Sequence, residues 1–421
     1  MPTLKTPSSR DTVLGQARGS LALTATGLDH LTTRVHEFHR AISDIPFGVM
    51  APLPGINAGS NTTRLVHDVI TDGVYTAVRG SIRAAFDLAE FALRETEKHA
   101  TPVPAAASPR RDLAVSALAG FVGDDMAVKR NPLTPRMGFY RHGQRLALER
   151  EALAEAHGQA SSRVVIFVHG LACTEHTWEF YTDTADPETH PYGPRLEQEL
   201  GYTALYLRYN TGLHISRNGA RLSRLIQRLS ERWPVPLKEI VLVGHSMGGL
   251  VSRSAVQAGV TQQAAWTAKV SNVICLGSPH LGAPLEQWVH GGIRWMDRFP
   301  LSRPLAKLLE ARSVGVRDLY HGYVSDEDWR HQHDFSTSGG AMVPPRLETA
   351  RYHFYGCSIG ASENDPIGRV IGDGLVLLPS ATAAKIADAD IAVLFKTHHI
   401  RLVNHPVIYG LIRDALSARP G

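Results

Sequence analysis

The stretch from Glu239 to Leu250, EIVLVGHSMGGL, constrains the fold more than any other part of the chain. Ile240 to Val243 form a short apolar run rich in β-branched residues. Gly244, His245, Ser246, Met247, Gly248 and Gly249 follow at once, leading into the helix-like LVSRSAVQAG. The order is strand, sharp turn, helix. It also spells G-x-S-x-G, a turn that presents a serine hydroxyl above the carboxyl edge of a sheet. Side chains at 244 and 248 would collide where strand and helix pass closely, so glycine is needed there, and Ser246 is expected to hold strained backbone angles. The five-residue match alone arises by chance in many chains; the flanking strand and helix supply the context. The alternative is a glycine-rich turn in another doubly wound fold, with Ser246 only a helix cap.

A second motif, RVVIFVHGLACTE at 163–175, carries the apolar strand Val164 to Val168 into His169, Gly170 and Leu171. A serine nucleophile needs backbone N–H groups aimed at the oxygen that becomes negative in the tetrahedral intermediate. The N–H of Met247, next after the serine, and that of Leu171 are the expected pair. His169 is a rival base, though a histidine in such a loop more commonly braces the turn. Strands TALYLRY (203–209), SNVICLGS (271–278) and RYHFYGCSI (351–359), with the helical RNGARLSRLIQRLSERW (217–233), continue a strand–helix rhythm. Buried parallel strands with helices on both faces are implied.

The sheet pattern lapses over 283–346, an insertion carrying Trp288, Trp295, Met296, Phe299, Leu305, Leu308 and Leu309. A lapse this long inside a compact domain is usually functional, and a cap over Ser246 lining an apolar acyl pocket is expected, with a surface insertion or partner-binding element as the alternative. RVIGDGLVLLPSA (369–381) then sets Asp373 between two glycines after an apolar stretch, and ADIAVLFKTHHIRLVNHPVIYGLI (388–412) supplies a last strand, the pair His398–His399 and a closing helix. Ser246, Asp373 and a histidine near 399 thus follow one another, each expected on a loop after a strand. His245 is a poor base, since a neighbour on the turn points away from Ser246, and Asp365 is expected on the solvated surface.

Residues 1–20 read as a loose tail. Leu28, Leu31, Val35, Phe38 and Ile42 fall on one helical face that should stop before Pro46, and 46–61 is turn-rich. A second stripe runs from Leu65 to Leu93, with Gly73 and Gly80 against one continuous rod. Acidic residues interrupt the polar faces, which favours packing over a membrane-surface helix. TPVPAAASPRR at 101–111 is a Pro/Ala linker, followed by a short helix near 112–122, and MGFYRHGQRLAL (137–148) reads as two strands joined at His142-Gly143. The expected organisation is a helical extension over 1–110 and an α/β domain over 111–421 with its insertion at about 283–346.

The net charge of +4 is small, and its whole excess lies in residues 1–150, with 18 Lys+Arg against 14 Asp+Glu. No basic run is dense enough to suggest nucleic acid. Cys173, Cys275 and Cys357 are widely spaced and odd in number, so each is expected to pack as a small apolar residue. Without a signal-peptide pattern or a long apolar run, a soluble cytoplasmic protein is the default expectation.

Through VHGL, GHSMGGL, SPHLGAPLE, GDGLV and HHIRLVNHPVIY, residues 163–412 resemble the bacterial lipase-like α/β-hydrolases, including the branch similar to GPI inositol-deacylases. The resemblance implies an α/β-hydrolase fold, a mostly parallel doubly wound sheet with a helical cap and here a helical N-terminal extension. In that family the acid lies in a D-G-x-V step, matched by Asp373. The histidine opens an H-x-x-L-L-x-x-P pattern, matched by His399, Leu402, Val403 (in place of a leucine) and Pro406; His398 stands one residue early. Cleavage of carboxylic esters, lipids among them, through an acyl-enzyme on Ser246 follows. Asp373 and His399 complete the triad, with no metal or organic cofactor. An acyltransferase with the same triad and a non-catalytic interaction protein are the alternatives. Contact with lipid surfaces is left open.

Overall fold

The apolar runs become parallel strands because each is covered on both faces. The computed structural model describes residues 12–50, 57–101, 103, 108–183, 185–282, 313–330, 346–382 and 389–418. Strands β1 (Gly138–Arg141), β2 (Gln144–Arg145), β3 (Arg163–Val168), β4 (Thr203–Arg208), β5 (Glu239–His245), β6 (Val270–Leu276), β7 (Arg351–Cys357) and β8 (Asp390–Leu394) form one sheet in the order β2-β1-β4-β3-β5-β6-β7-β8. From β4 to β8 every pairing is parallel; β1 lies antiparallel to β4 and to β2. His142 and Gly143 both take positive φ, which gives the tight β1–β2 turn the twist a hairpin needs.

Alternation along a strand sends successive side chains to opposite faces, and β3 shows the result. Val164, Ile166 and Val168 enter a core with Leu222, Ile226 and Leu229 of α6 (Ile215–Arg232) and Leu250 and Val251 of α7 (Met247–Thr261). Val165 and Phe167 enter the opposite core with Tyr192 and Leu196 of α5 (Tyr192–Leu200) and Ile408 and Ile412 of the last helix, Pro406–Ser417. The strand order reverses beside β3, so the loops after β3 and β5 leave the same edge as neighbours. In open parallel sheets that edge is where ligands bind.

The described residues form two compact units. The first takes those within 1–106 and 126–134; the second takes those within 107–125, 135–287 and 313–421. In the first, α1 (Val13–Met50) and α2 (Asn57–His99) pair along their lengths, with Arg83 on Asp29 at 2.8 Å and Arg18 on Glu90 at 3.6 Å. Three expectations fail here. Helix begins at Val13, inside the expected tail, and α1 runs past Pro46, whose ring costs one backbone bond without stopping a helix supported by a partner. Gly73 and Gly80 likewise sit inside a continuous α2.

Helix α3 (Pro109–Val128) is longer than the expected short helix and is broken at Val122 (φ −128°, ψ 18°), and a short α4 (Arg150–His157) precedes β3. Of the insertion, 283–312 and 331–345, with all its aromatic and leucine positions named above, lie outside the described residues. Residues 313–330 belong to the second unit, where Asp318 accepts from the Ile215 N–H at 2.8 Å and Ser254 Oγ donates to the Val324 carbonyl at 2.6 Å. Among the described residues no helix is long and apolar enough to cross a membrane.

Arg208 at the end of β4 ties α3 to the sheet: its guanidinium meets both carboxylate oxygens of Glu175 and, at 2.9 Å, Asp112 of α3, and it lies over the Tyr140 ring. All three charged side chains are largely buried. Arg208→Ala strands two buried carboxylates and is expected to cost about 3–5 kcal/mol, read as a lowered urea midpoint of the second unit. An unchanged midpoint would show that this network holds nothing.

Candidate active site

At the end of β5 the chain turns so sharply that Ser246 takes φ 55° and ψ −125° before α7 begins. A non-glycine residue held there stores roughly 1–3 kcal/mol. The surroundings hold it: the Ser246 N–H donates to the Leu276 carbonyl of β6 at 2.8 Å, and the turn is packed on backbone. A Cβ on Gly248 would stand 2.1 Å from the Val168 carbonyl oxygen, and one on Gly244 would stand 2.4 Å from the Gly249 nitrogen. Both glycines are therefore steric necessities. Ser246 itself is 8% exposed.

The loop after β3 runs beside this turn. A Cβ on Gly170 would lie 3.0 Å from Ser246 Cβ. Met247 is the first residue of α7, so its N–H has no intrahelical acceptor. Among the described residues the Leu171 N–H has no hydrogen-bond acceptor either. His169 faces the other way: its ring stacks on Tyr209 at 4.5 Å, the Tyr209 hydroxyl donates to its carbonyl at 2.8 Å, and burial lowers its pKa to about 3. A neutral imidazole locked in that stack braces the loop.

Asp373 and His399 are brought together at 2.7 Å, Oδ2 to Nδ1, with the His399 N–H donating to the Asp373 carbonyl at 3.0 Å. Oδ1 of Asp373 accepts from the N–H groups of Val376 (2.8 Å) and Leu375 (2.9 Å). Burial alone would raise this carboxyl, but the His399 charge, its hydrogen bond and the two N–H donors outweigh burial and keep it below its ordinary value. Asp373 therefore stays ionised where His399 needs a counter-charge. His398 is exposed and sets its ring against Tyr181 at 5.7 Å. The expectation of a strand before Asp373 fails: residues 366–371 are helical, started by Pro366, and the acid sits in the β7–β8 connection. Asp365, expected on the solvated surface, is half-buried and accepts from the Ala361 N–H at 2.9 Å.

Among the described residues His399 Nε2 is buried without a partner, and no bond to Ser246 Oγ is made in this structure. Such bonds are often open before substrate binds. His245, buried and lowered to about 3 by burial and then by the nearby His399, donates from Nε2 to the His399 carbonyl at 3.2 Å, its ring 4.8 Å from the His399 ring. Serine turn and histidine loop are thus linked directly. Two contacts escaped sequence reasoning: this one, and Cys357 Sγ, 3.7 Å from Asp373 Oδ2. Nothing in the spacing signals either.

The histidine loop is clamped from behind. Asn404, at φ 56°, donates from Nδ2 to the carbonyls of Trp178 (2.7 Å) and Phe180 (2.8 Å) and accepts from the Tyr192 N–H at 3.2 Å. The Tyr192 hydroxyl donates to the Leu402 carbonyl at 2.8 Å and accepts from the His405 N–H at 2.7 Å. Among the described residues no cluster of three or more His, Cys, Asp or Glu could hold a metal ion.

Sheet order, serine turn and covering helices define an α/β-hydrolase fold. Within that class, residues 159–343 match the family model of the PGAP1-like alpha/beta domain, a stretch that includes Ser246 and Leu171 and ends before Asp373. No curated protein matches the chain. Among solved structures, a gene product of Listeria innocua is 12% identical, with 62% of this chain and 96% of that one covered at a TM-score of 0.35. An esterase of Pyrococcus furiosus is 12% identical over 61% of this chain and 81% of that one at 0.34. A prodiginine-pathway thioesterase of Streptomyces coelicolor is 14% identical over 62% and 92% at 0.35.

Gly170→Ala adds a methyl group against the serine without straining the backbone. It is expected to slow fluorophosphonate labelling by about 10²-fold, the scale of an ångström-sized misplacement, in a protein with unaltered thermal unfolding. Labelling at the original rate would move the reacting group away from this loop.

Proposed function

We propose that the protein is a serine hydrolase that cleaves carboxylic esters through an acyl-enzyme on Ser246. The observation that carries this reading is the pairing of a serine held at positive φ on the β5–α7 turn with a buried, hydrogen-bonded Asp373–His399 couple joined to that turn through His245. Ser246 Oγ attacks the acyl carbonyl carbon while His399 Nε2 takes its proton; Asp373 fixes the tautomer with the proton on Nδ1 and stabilises the imidazolium. The N–H groups of Leu171 and Met247 receive the oxyanion. His399 then returns the proton to the leaving alcohol, and water, activated by the same ring, releases the acid.

Ser246→Ala is expected to abolish fluorophosphonate labelling and to lower hydrolysis of short p-nitrophenyl esters by about 10⁴-fold or more in a folded protein. His399→Ala should be comparably severe and His398→Ala mild. A folded Ser246→Ala protein with full activity would end the proposal. Ester formation with added alcohols, in place of free acid, would make the enzyme an acyltransferase working through the same residues.

A further inference from the structure

Outside the site, α6 carries five arginines against a single acidic residue, Glu231. Arg217, Arg221, Arg224, Arg228 and Arg232 are spaced four, three, four and four residues apart, and all five are exposed. At 100° per residue they fall within about a quarter of the helix circumference and extend about 22 Å along it. The opposite face buries Leu222, Leu225, Ile226 and Leu229, so the stripe cannot turn inward. Among the described residues none of the five has a hydrogen-bond or ion-pair partner. The carboxylates on and beside the stripe leave it unpaired: Glu231 accepts from Gln227 on the same helix, and Asp326 and Glu327 line the groove shared with Arg217, Arg221 and Arg224 without bonding to them.

Guanidinium forks held in a row call for an array of anionic oxygens. The groove between α6 and α7 narrows the choice of array. Its lining besides the arginines is short or polar, as in Ala220, Ala258, Ala264, Gln257, Gln262 and Thr261. No aromatic side chain is among the lining residues, so there is no platform on which bases of a single strand could stack. No large apolar or aromatic anchor is there to form the desolvated centre of a protein interface. What remains is an electrostatic contact made by the arginine stripe on the rim of the groove.

We propose that the α6 arginine stripe is a docking surface for an anionic lipid headgroup layer. The contact is peripheral, with nothing inserted into the acyl region, and it is therefore salt-labile. Each arginine within reach of such a surface is worth roughly fivefold in partitioning, so loss of three should weaken binding by about a hundredfold. The proposal is independent of catalysis, because it is read by binding alone.

The test is co-sedimentation of the full chain with phosphatidylcholine vesicles containing about one-third phosphatidylserine, against phosphatidylcholine alone, at low and high salt. Expected is binding to the anionic vesicles only, lost in high salt, reduced about a hundredfold in Arg221→Gln/Arg224→Gln/Arg228→Gln and kept in the matching triple Lys variant. All the positions changed are exposed, and circular dichroism confirms that each variant is folded. Equal binding to neutral vesicles, no binding, or binding unaffected by the Gln substitutions overturns the proposal. So does tighter binding of a single-stranded oligonucleotide or of poly-glutamate at the same salt, which would assign the stripe to that polyanion.

Discussion

Everything at the carboxyl edge of the sheet depends on one close approach, the passage of α7 over the backbone of β3 at Gly248. No side chain fits between Gly248 and the Val168 carbonyl. That contact fixes the height and direction at which α7 leaves β5, and so forces the reversal at Ser246 into its positive φ. The strain is local, while the packing that offsets it is spread over Leu250, Val251 and Ala255 on the sheet-facing side of α7. A rigid helix and a rigid sheet hold the serine between them, which is how one residue can be kept in a conformation it would leave in a free peptide.

Around that fixed point the electrostatics divide by burial. His169 and His245 are enclosed with no carboxylate to hold a proton, and both stay neutral and serve as braces. His399 is equally enclosed but has an ionised carboxylate at hydrogen-bond distance. The same side chain, three times within one small volume, thus takes two kinds of work according to the partner on Nδ1.

The sheet was largely legible in the sequence because its central strands are uninterrupted apolar runs, and a run such as Val164 to Val168 leaves a chain of this composition few other places to go. The serine turn was legible because its glycines are steric requirements. Asp373 and His399 could be named only through a family pattern, since an acid between two glycines and one of two adjacent histidines carry no local signal of where they will meet. The errors share a cause. Pro46 in α1, Gly73 in α2 and the helix at 366–371 are places where tertiary support, or a proline acting as a helix starter, overrides local propensity. The contacts of His245 and Cys357 with the acid–histidine couple join residues far apart in sequence and leave no periodic trace.

The clamp behind His399 has a kinetic meaning. Asn404 and Tyr192 spend nearly all their hydrogen-bonding capacity joining the histidine loop to the segments at Trp178–Phe180 and to the start of α5. Moving His399 by a full ångström would break several of these bonds at once, a local opening whose cost places it far from nanosecond fluctuation. The imidazole is then a stationary reference point at this edge of the sheet, held from behind by bonds that must break together before it can shift.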